Sequence, residues 1–189
     1  MQAKLFFLRL ISATFLLVFV SCKEDVLTKP SSQLRLGYPV AEYAQFENHC
    51  PVTFQMNNDA IIKEDGTCGF SITYPKMKAT IYLTYKGVNG DINALLKDAQ
   101  TLTYKHVIKA DDIVEQPYIN PDKKVYGMFY QVGGNAATNA QFYVTDSLHH
   151  FVTGSVYFFS KLNYDSIMPA ANYIQNDMQH IMETIKWKK

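Results

Sequence analysis

No charge interrupts the residues from Leu10 to Val20, and this run constrains everything that follows it. Lys4 and Arg9 precede it, so a positive segment leads into an apolar one of about a dozen residues, the layout of a secretory signal. A membrane-spanning helix needs roughly 20 apolar residues, so the run is too short to cross a bilayer comfortably. A chain exported behind such a segment folds outside the reducing cytoplasm, where disulfides form and persist. The rest of the chain is therefore expected to be a body that can use paired cysteines.

Ser21-Cys22 closes the run. A small residue followed by cysteine at this place resembles the lipobox of bacterial lipoproteins, although Phe19 stands where that motif favours leucine. The cysteine thiolate can take a diacylglycerol group as a thioether and become the mature N-terminus. One acyl chain holds a protein to a bilayer only marginally, whereas two or three, palmitate among them, hold it firmly. The expected order is a signal peptide over residues 1–21, a lipidated tether over 22–33 and one domain over 34–189. An uncleaved signal anchor with an incidental cysteine is the alternative. Pro30 and Ser31-Ser32 suit a tether. Lys23-Glu24-Asp25 resembles a surface-export signal of Bacteroidetes-type lipoproteins, and it also suits a plain charged linker. The expected location is the cell envelope, on the outer membrane, with the periplasmic and surface faces both open.

Removing residues 1–21 from the 189 leaves 168, enough for one domain with a good core. Lys4 and Arg9 leave with them, so 18 basic residues become 16 against 17 acidic, a net charge of −1. That balance argues against nucleic acid, which demands a basic face. It also argues against binding anionic lipid heads through charge. The 13 tyrosines and 12 phenylalanines suit a sheet-rich domain.

With Cys22 lipidated, Cys50 and Cys68 remain as a pair, and a structural disulfide is the expectation. It would close a loop of about 19 residues and contribute roughly 3 kcal/mol. A metal pair is the rival reading, but the flanks offer no further ligands at finger spacing and His49 stands alone. A redox pair more often reads C-x-x-C.

Alternation predicts strands at Leu34–Tyr38, Val52–Met56, Phe70–Tyr74 and Ala79–Tyr85, with Asn57-Asn58-Asp59 and Asp65-Gly66 as turns. After Asp91, expected to cap it, the period changes: Ile92, Leu95, Leu96, Ala99, Leu102, Thr103 and His106 indicate a helix over 91–107. Strands follow near Ile113–Tyr118, Lys124–Val132, Ala140–Thr145 and Phe151–Ser160. A last helix is expected over 166–187, burying Ala170, Ile174, Met178, Ile181, Met182 and Ile185, with Pro169 in its first turn. The economical solution is α+β, a mainly antiparallel sheet of about six to eight strands with two packed helices.

No catalytic constellation stands out, and neither a metal nor a cofactor is expected. His149-His150 beside Asp146 reads as turn histidines rather than a ligand cluster, because adjacent strand residues face opposite ways. Asp111, Asp112 and Glu115 could do acid–base work or simply solvate a connector. Gly133-Gly134-Asn135 lacks the lysine and hydroxyl of a phosphate loop, and a turn needing positive φ is the better use. Thr80, Tyr82 and Thr84 form one face of a strand and, with Gly133, Gly134 and Asn135, make a candidate contact surface. Packing under a helix is the equal alternative for that strip.

Long blocks of the chain resemble the gliding-motility lipoprotein family GldD of Bacteroidetes. They include Tyr74-Pro75-Lys76-Met77-Lys78-Ala79-Thr80-Ile81-Tyr82-Leu83-Thr84-Tyr85-Lys86, Leu96-Lys97-Asp98-Ala99-Gln100 and Tyr104 through Ile113. Val132 through Ala137, Phe142 through Ser147, Asn163 through Ile167 and His180 through Thr184 continue the likeness, with Cys22, Cys50 and Cys68. The resemblance implies a non-enzymatic, membrane-anchored component of gliding motility, a process tied to type IX secretion, with other gliding and secretion proteins as partners. It transfers no catalytic residue. The alternative function is an envelope lipoprotein that binds a small molecule or glycan.

Overall fold

A computed structural model describes residues 37–105, 110–134, 136–159 and 164–188. The expected signal segment, Cys22, the tether, Leu34–Leu36, His106 and Asn135 lie outside the described residues.

The strands are β1 (Tyr43–Phe46), β2 (Val52–Asn57), β3 (Ile61–Glu64), β4 (Gly69–Tyr74) and β5 (Ala79–Gly87), then β6 (Ile113–Asn120), β7 (Val125–Val132), β8 (Ala140–Thr145), β9 (His150–Phe158) and β10 (Lys186–Trp187). Helix α1 (Ile92–Tyr104) lies between β5 and β6, and α2 (Tyr164–Thr184) between β9 and β10. Seven strands form one antiparallel sheet in the order β3-β4-β5-β9-β8-β7-β6, and β1-β2-β10 form a second. The fold is α+β, with two antiparallel sheets and two helices among the described residues.

Antiparallel partners directly opposite share a face, so the register sorts side chains. One row runs Phe142, Gly154, Leu83, Phe70 across β8, β9, β5 and β4. Gly154 has no side chain because Phe142 occupies the space: an added Cβ would collide with that ring and lie 2.8 Å from Leu83 Cδ2. Gly154→Ala is expected to cost about 1–3 kcal/mol through overpacking, read as a lower urea midpoint with unchanged slope. The same face carries Ile72, Ile81, Val156 and Ala140, which share one core with Val52 and Phe54 of β2 and with Ile174, Met178, Ile181 and Ile185. Helix α2 packs on β2 and β8, so it helps join the two sheets. On the opposite face α1 docks: Thr103 Oγ1 donates to Gln141 Oε1 at 2.7 Å, and Tyr104 meets the Tyr130 ring edge-on.

Several expectations need correction. Gly37-Tyr38 is not strand; the first described strand is β1, whose Tyr-Ala-Gln-Phe has no clean alternation and is held by its pairing with β2. Asp91 does not cap α1 with its side chain but accepts from the Asn89 N–H at 2.9 Å. Helix α2 starts by Tyr164, so Pro169 falls past the first turn. It stops at Thr184 although the apolar period runs on, because Lys186 and Trp187 pair with Thr53 and Val52. Thr184 supports the exit: its hydroxyl donates to His180 O at 2.7 Å and accepts from the Gln55 N–H at 3.0 Å.

Candidate functional site

Chemistry-bearing side chains gather in three places. The first is a buried polar cluster under β1, β2 and α2. Asp177, 1% exposed, accepts from the Tyr43 hydroxyl at 2.6 Å and from Asn57 Nδ2 at 2.8 Å. Asn57 Nδ2 also donates to the Tyr173 hydroxyl at 2.8 Å. Burial, then the hydrogen bond to Asp177 and its charge, pushes the Tyr43 hydroxyl well above its usual range. Tyr74 is pushed up the same way, by burial first and by Asp177 second. Its hydroxyl is buried and has no hydrogen-bond partner among the described residues.

Tyr74 also lines an adjoining apolar pocket of about 160 Å³, with Tyr38, Pro39, Ile61, Pro75 and Met77 as walls and Asp59 and Lys76 beside them. Pro75–Met77 make a single 3₁₀ turn between β4 and β5, and Lys78 leaves it with φ +51. The block Tyr74-Pro75-Lys76-Met77-Lys78 is therefore a pocket wall, a role that alternation along β5 did not disclose. Asp177 and Asn57 were also missed, and no spacing could reveal them at a separation of 120 residues.

The second place is the cysteine pair. Cys50 and Cys68 sit at disulfide distance, with Cα atoms 5.7 Å apart. His49 Nδ1 lies 3.0 Å from Glu64 Oε1, and that oxygen lies 3.2 Å from Cys50 Sγ. His49 does not stand alone once the chain is folded.

The third is the turn at Asp146. Its Oδ1 accepts from the backbone N–H groups of Leu148, His149 and His150 at 3.0, 2.8 and 2.8 Å. His150 Nδ1 is hydrogen-bonded with the Tyr85 hydroxyl at 2.8 Å and its ring stacks on Trp187, while His149 is exposed. His149 belongs to the turn, whereas His150 opens β9 and packs its ring against Tyr85 and Trp187. Burial holds the His150 imidazole below its ordinary value, with His149 adding to that and Asp146 opposing it. Burial would raise the Asp146 carboxyl, but the three backbone donors and His150 outweigh it and hold it below the usual range. Both folded-state values lie below the unfolded ones. Each group therefore contributes stability present above its unfolded pKa and lost as pH falls through its folded pKa. The His150 window opens below about pH 6.5 and the Asp146 window below about 3.9. The thermal midpoint is expected to drop as pH falls below about 6.5, and His150→Phe should flatten the upper part of that drop. An unchanged slope in the variant would assign the effect elsewhere.

The candidate contact strip divides. Tyr82 is 41% exposed and meets Tyr157 edge-on, and Thr84 is exposed. Thr80 is 3% exposed, its hydroxyl 3.1 Å from that of Thr73, so it belongs to the packing rather than to a surface. Gly133 and Gly134 also serve packing. Gly134 has φ +84, and a Cβ there would lie 2.7 Å from Asp111 Oδ2, while one on Gly133 would collide with Asp112. Backbone bonds join Asp111 N to Gly133 O and Gly133 N to Asp112 O, at 3.1 and 3.0 Å. The acidic pair thus lies against the glycines. Glu115 accepts from the Tyr104 hydroxyl.

These features define an α+β domain with a cysteine pair at disulfide distance and a small apolar pocket. Among the described residues no helix is long and apolar enough to cross a membrane. The model of the gliding motility lipoprotein GldD family matches residues 23–187, and the chain belongs to that family. Membership carries attachment to the cell envelope through lipid and involvement in gliding motility. No curated protein and no solved structure matches the chain significantly.

Proposed function

We propose that this chain is a non-enzymatic component of the gliding-motility and type IX secretion apparatus, acting by protein contact from a lipid anchor at Cys22. The observation that carries the reading is the family match, which begins at residue 23, directly after the lipobox-like Ser21-Cys22. The net charge of −1 on the mature chain agrees with an anchor that works through acyl chains rather than basic residues. The outer membrane is the expected seat. Cys22→Ala should move the protein from the membrane to the soluble fraction and abolish colony spreading. Spreading that persists with the protein fully soluble would sink anchored scaffolding.

A second reading, an envelope lipoprotein that takes a small ligand, is favoured by the pocket beside Tyr74. Its volume of about 160 Å³ is below the roughly 300–1,000 Å³ common for ligand sites, so it suits a short apolar group better than a sugar. A glycan would have to use the exposed Tyr82 and its neighbour Tyr157 instead. Ligand recovered with protein extracted from membranes, and lost in Met77→Trp, would favour this reading over scaffolding.

A further inference from the structure

Two cysteines at disulfide distance need no companions, yet this pair has them. His49, Cys50, Glu64 and Cys68 each place a donor atom within 4.8 Å of the other three. Cys50 Sγ lies 3.2 Å from Glu64 Oε1 and 3.7 Å from His49 Nε2, and Glu64 Oε1 lies 3.0 Å from His49 Nδ1. Ligand atoms around a tetrahedral zinc ion stand about 3.3–3.8 Å from one another, from bond lengths of about 2.0–2.3 Å. Cys50 Sγ and Glu64 Oε1 stand close to that spacing and His49 turns one ring nitrogen toward each of them, so a small ring turn and the parting of the two sulfurs would complete the set. We infer that this cluster is a redox-gated zinc site: a disulfide when oxidised, and a two-thiolate, imidazole and carboxylate site for one Zn²⁺ when reduced.

Every member of the donor set is a zinc ligand type, two thiolates, an imidazole and one carboxylate oxygen. Access is open, because His49 and Glu64 are exposed while Cys50 is fully buried beneath them. The backbones that carry the thiols are held by bonds other than S–S. The Cys50 N–H donates to Asn48 Oδ1 at 2.7 Å, and the Cys68 carbonyl accepts from the Tyr85 N–H at 3.0 Å. The Asp65 carboxylate ties the turn before Cys68 by accepting the Thr67 and Gly69 N–H groups at 2.8 and 2.9 Å. Cys68 itself has φ +62, a conformation that a non-glycine residue keeps only where its surroundings impose it. Breaking the S–S bond therefore leaves both thiols facing His49 and Glu64.

The chemistry balances with a dithiol protein of the envelope as reductant. Its two thiols supply two electrons and two protons, the Cys50–Cys68 bond breaks to two thiols, and the donor becomes a disulfide. Zn²⁺ then displaces the two thiol protons and forms two Zn–S bonds.

The full-length protein, extracted in detergent, should be reduced with a phosphine, desalted without oxygen and titrated with Zn²⁺ against a chromophoric chelator. One Zn²⁺ per chain is expected in the reduced form, with affinity at least about a hundredfold above that of the oxidised form. Co²⁺ in place of Zn²⁺ should give thiolate charge-transfer bands and a tetrahedral visible spectrum. His49→Ala and Glu64→Gln should each weaken binding about tenfold or more, a loss typical for groups around a metal. Neither should change the thermal midpoint of the oxidised protein. Circular dichroism should show the reduced chain still folded. Sub-stoichiometric binding, a spectrum without thiolate bands, unchanged affinity in both variants, or loss of the fold on reduction would each overturn the inference.

Discussion

Asp177→Ala is expected to destabilise the protein by about 3 kcal/mol, because it takes the acceptor from a buried amide and a half-buried hydroxyl and leaves a cavity. Its carboxylate accepts from the Tyr43 hydroxyl and from buried Asn57 Nδ2. Each buried donor left unsatisfied costs about 1–3 kcal/mol, more than the bond itself contributes. Asn57 keeps its contact with the Tyr173 hydroxyl, so its loss is partial. The Tyr43 bond also ties β1 to α2 across 134 residues, so its loss loosens the edge strand as well. Asp177→Asn retains the shape and one acceptor oxygen, and should cost about half as much. Urea unfolding monitored by tyrosine fluorescence measures both variants. An alanine variant within about 1 kcal/mol of the parent would mean that water replaces the carboxylate, and the cluster would not count as buried structure.

Phe54→Ala should be at least as damaging, at about 3–5 kcal/mol. Phe54 is 1% exposed and stands where the small sheet meets the large one. Its ring centroid lies 5.5 Å from that of Phe46 on β1 and 5.7 Å from that of Phe70 on β4, the latter edge-on. Truncation removes the transfer free energy of the ring and leaves a cavity between two sheets. Neither sheet can close that cavity alone, because α2 holds β2 in place from the C-terminal side. Net stability of a domain is about 5–15 kcal/mol, so such a loss is a large share of it. The variant should still unfold in a single transition, since both sheets bury side chains in one core. A separate early transition for the small sheet would show that Phe54 joins two independently stable parts. Phe54→Leu, which fills most of the space, should lose much less.

How far the sequence alone could be read depended on how local each cause was. On β5 the alternation predicted Ala79, Ile81, Leu83 and Tyr85 inward; the first three are buried with their row partners, and Tyr85 is half-buried. On β2 it placed Val52, Phe54 and Met56 on one buried face, but Thr53 and Asn57 are buried too, because the strand lies between β1 and β10 with α2 packed against it. Alternation cannot report a strand covered on both sides. Strand β3 carries Ile61, more than half exposed, and only pairing with β4 defines it. Of the candidate contact residues, Tyr82 and Thr84 reach solvent, whereas Thr80, Gly133 and Gly134 are taken up by Thr73, Asp111 and Asp112. Which end of a strand is covered depends on loops that come back to it from elsewhere in the chain.

By itself the sequence determined the class of element at β2, at β4 to β9 and at both helices, and it determined the family, because short-period patterns and long motif blocks are properties of neighbouring residues. Tertiary structure alone decided that Glu64 stands beside Cys50 and His49, that Asp177 satisfies Tyr43 and Asn57, and that Pro75 and Met77 wall a pocket with Tyr38. Those neighbours come together only when two sheets and a helix close around one core. The free energy that selects such contacts comes from burying faces many residues apart, and no local pattern records it.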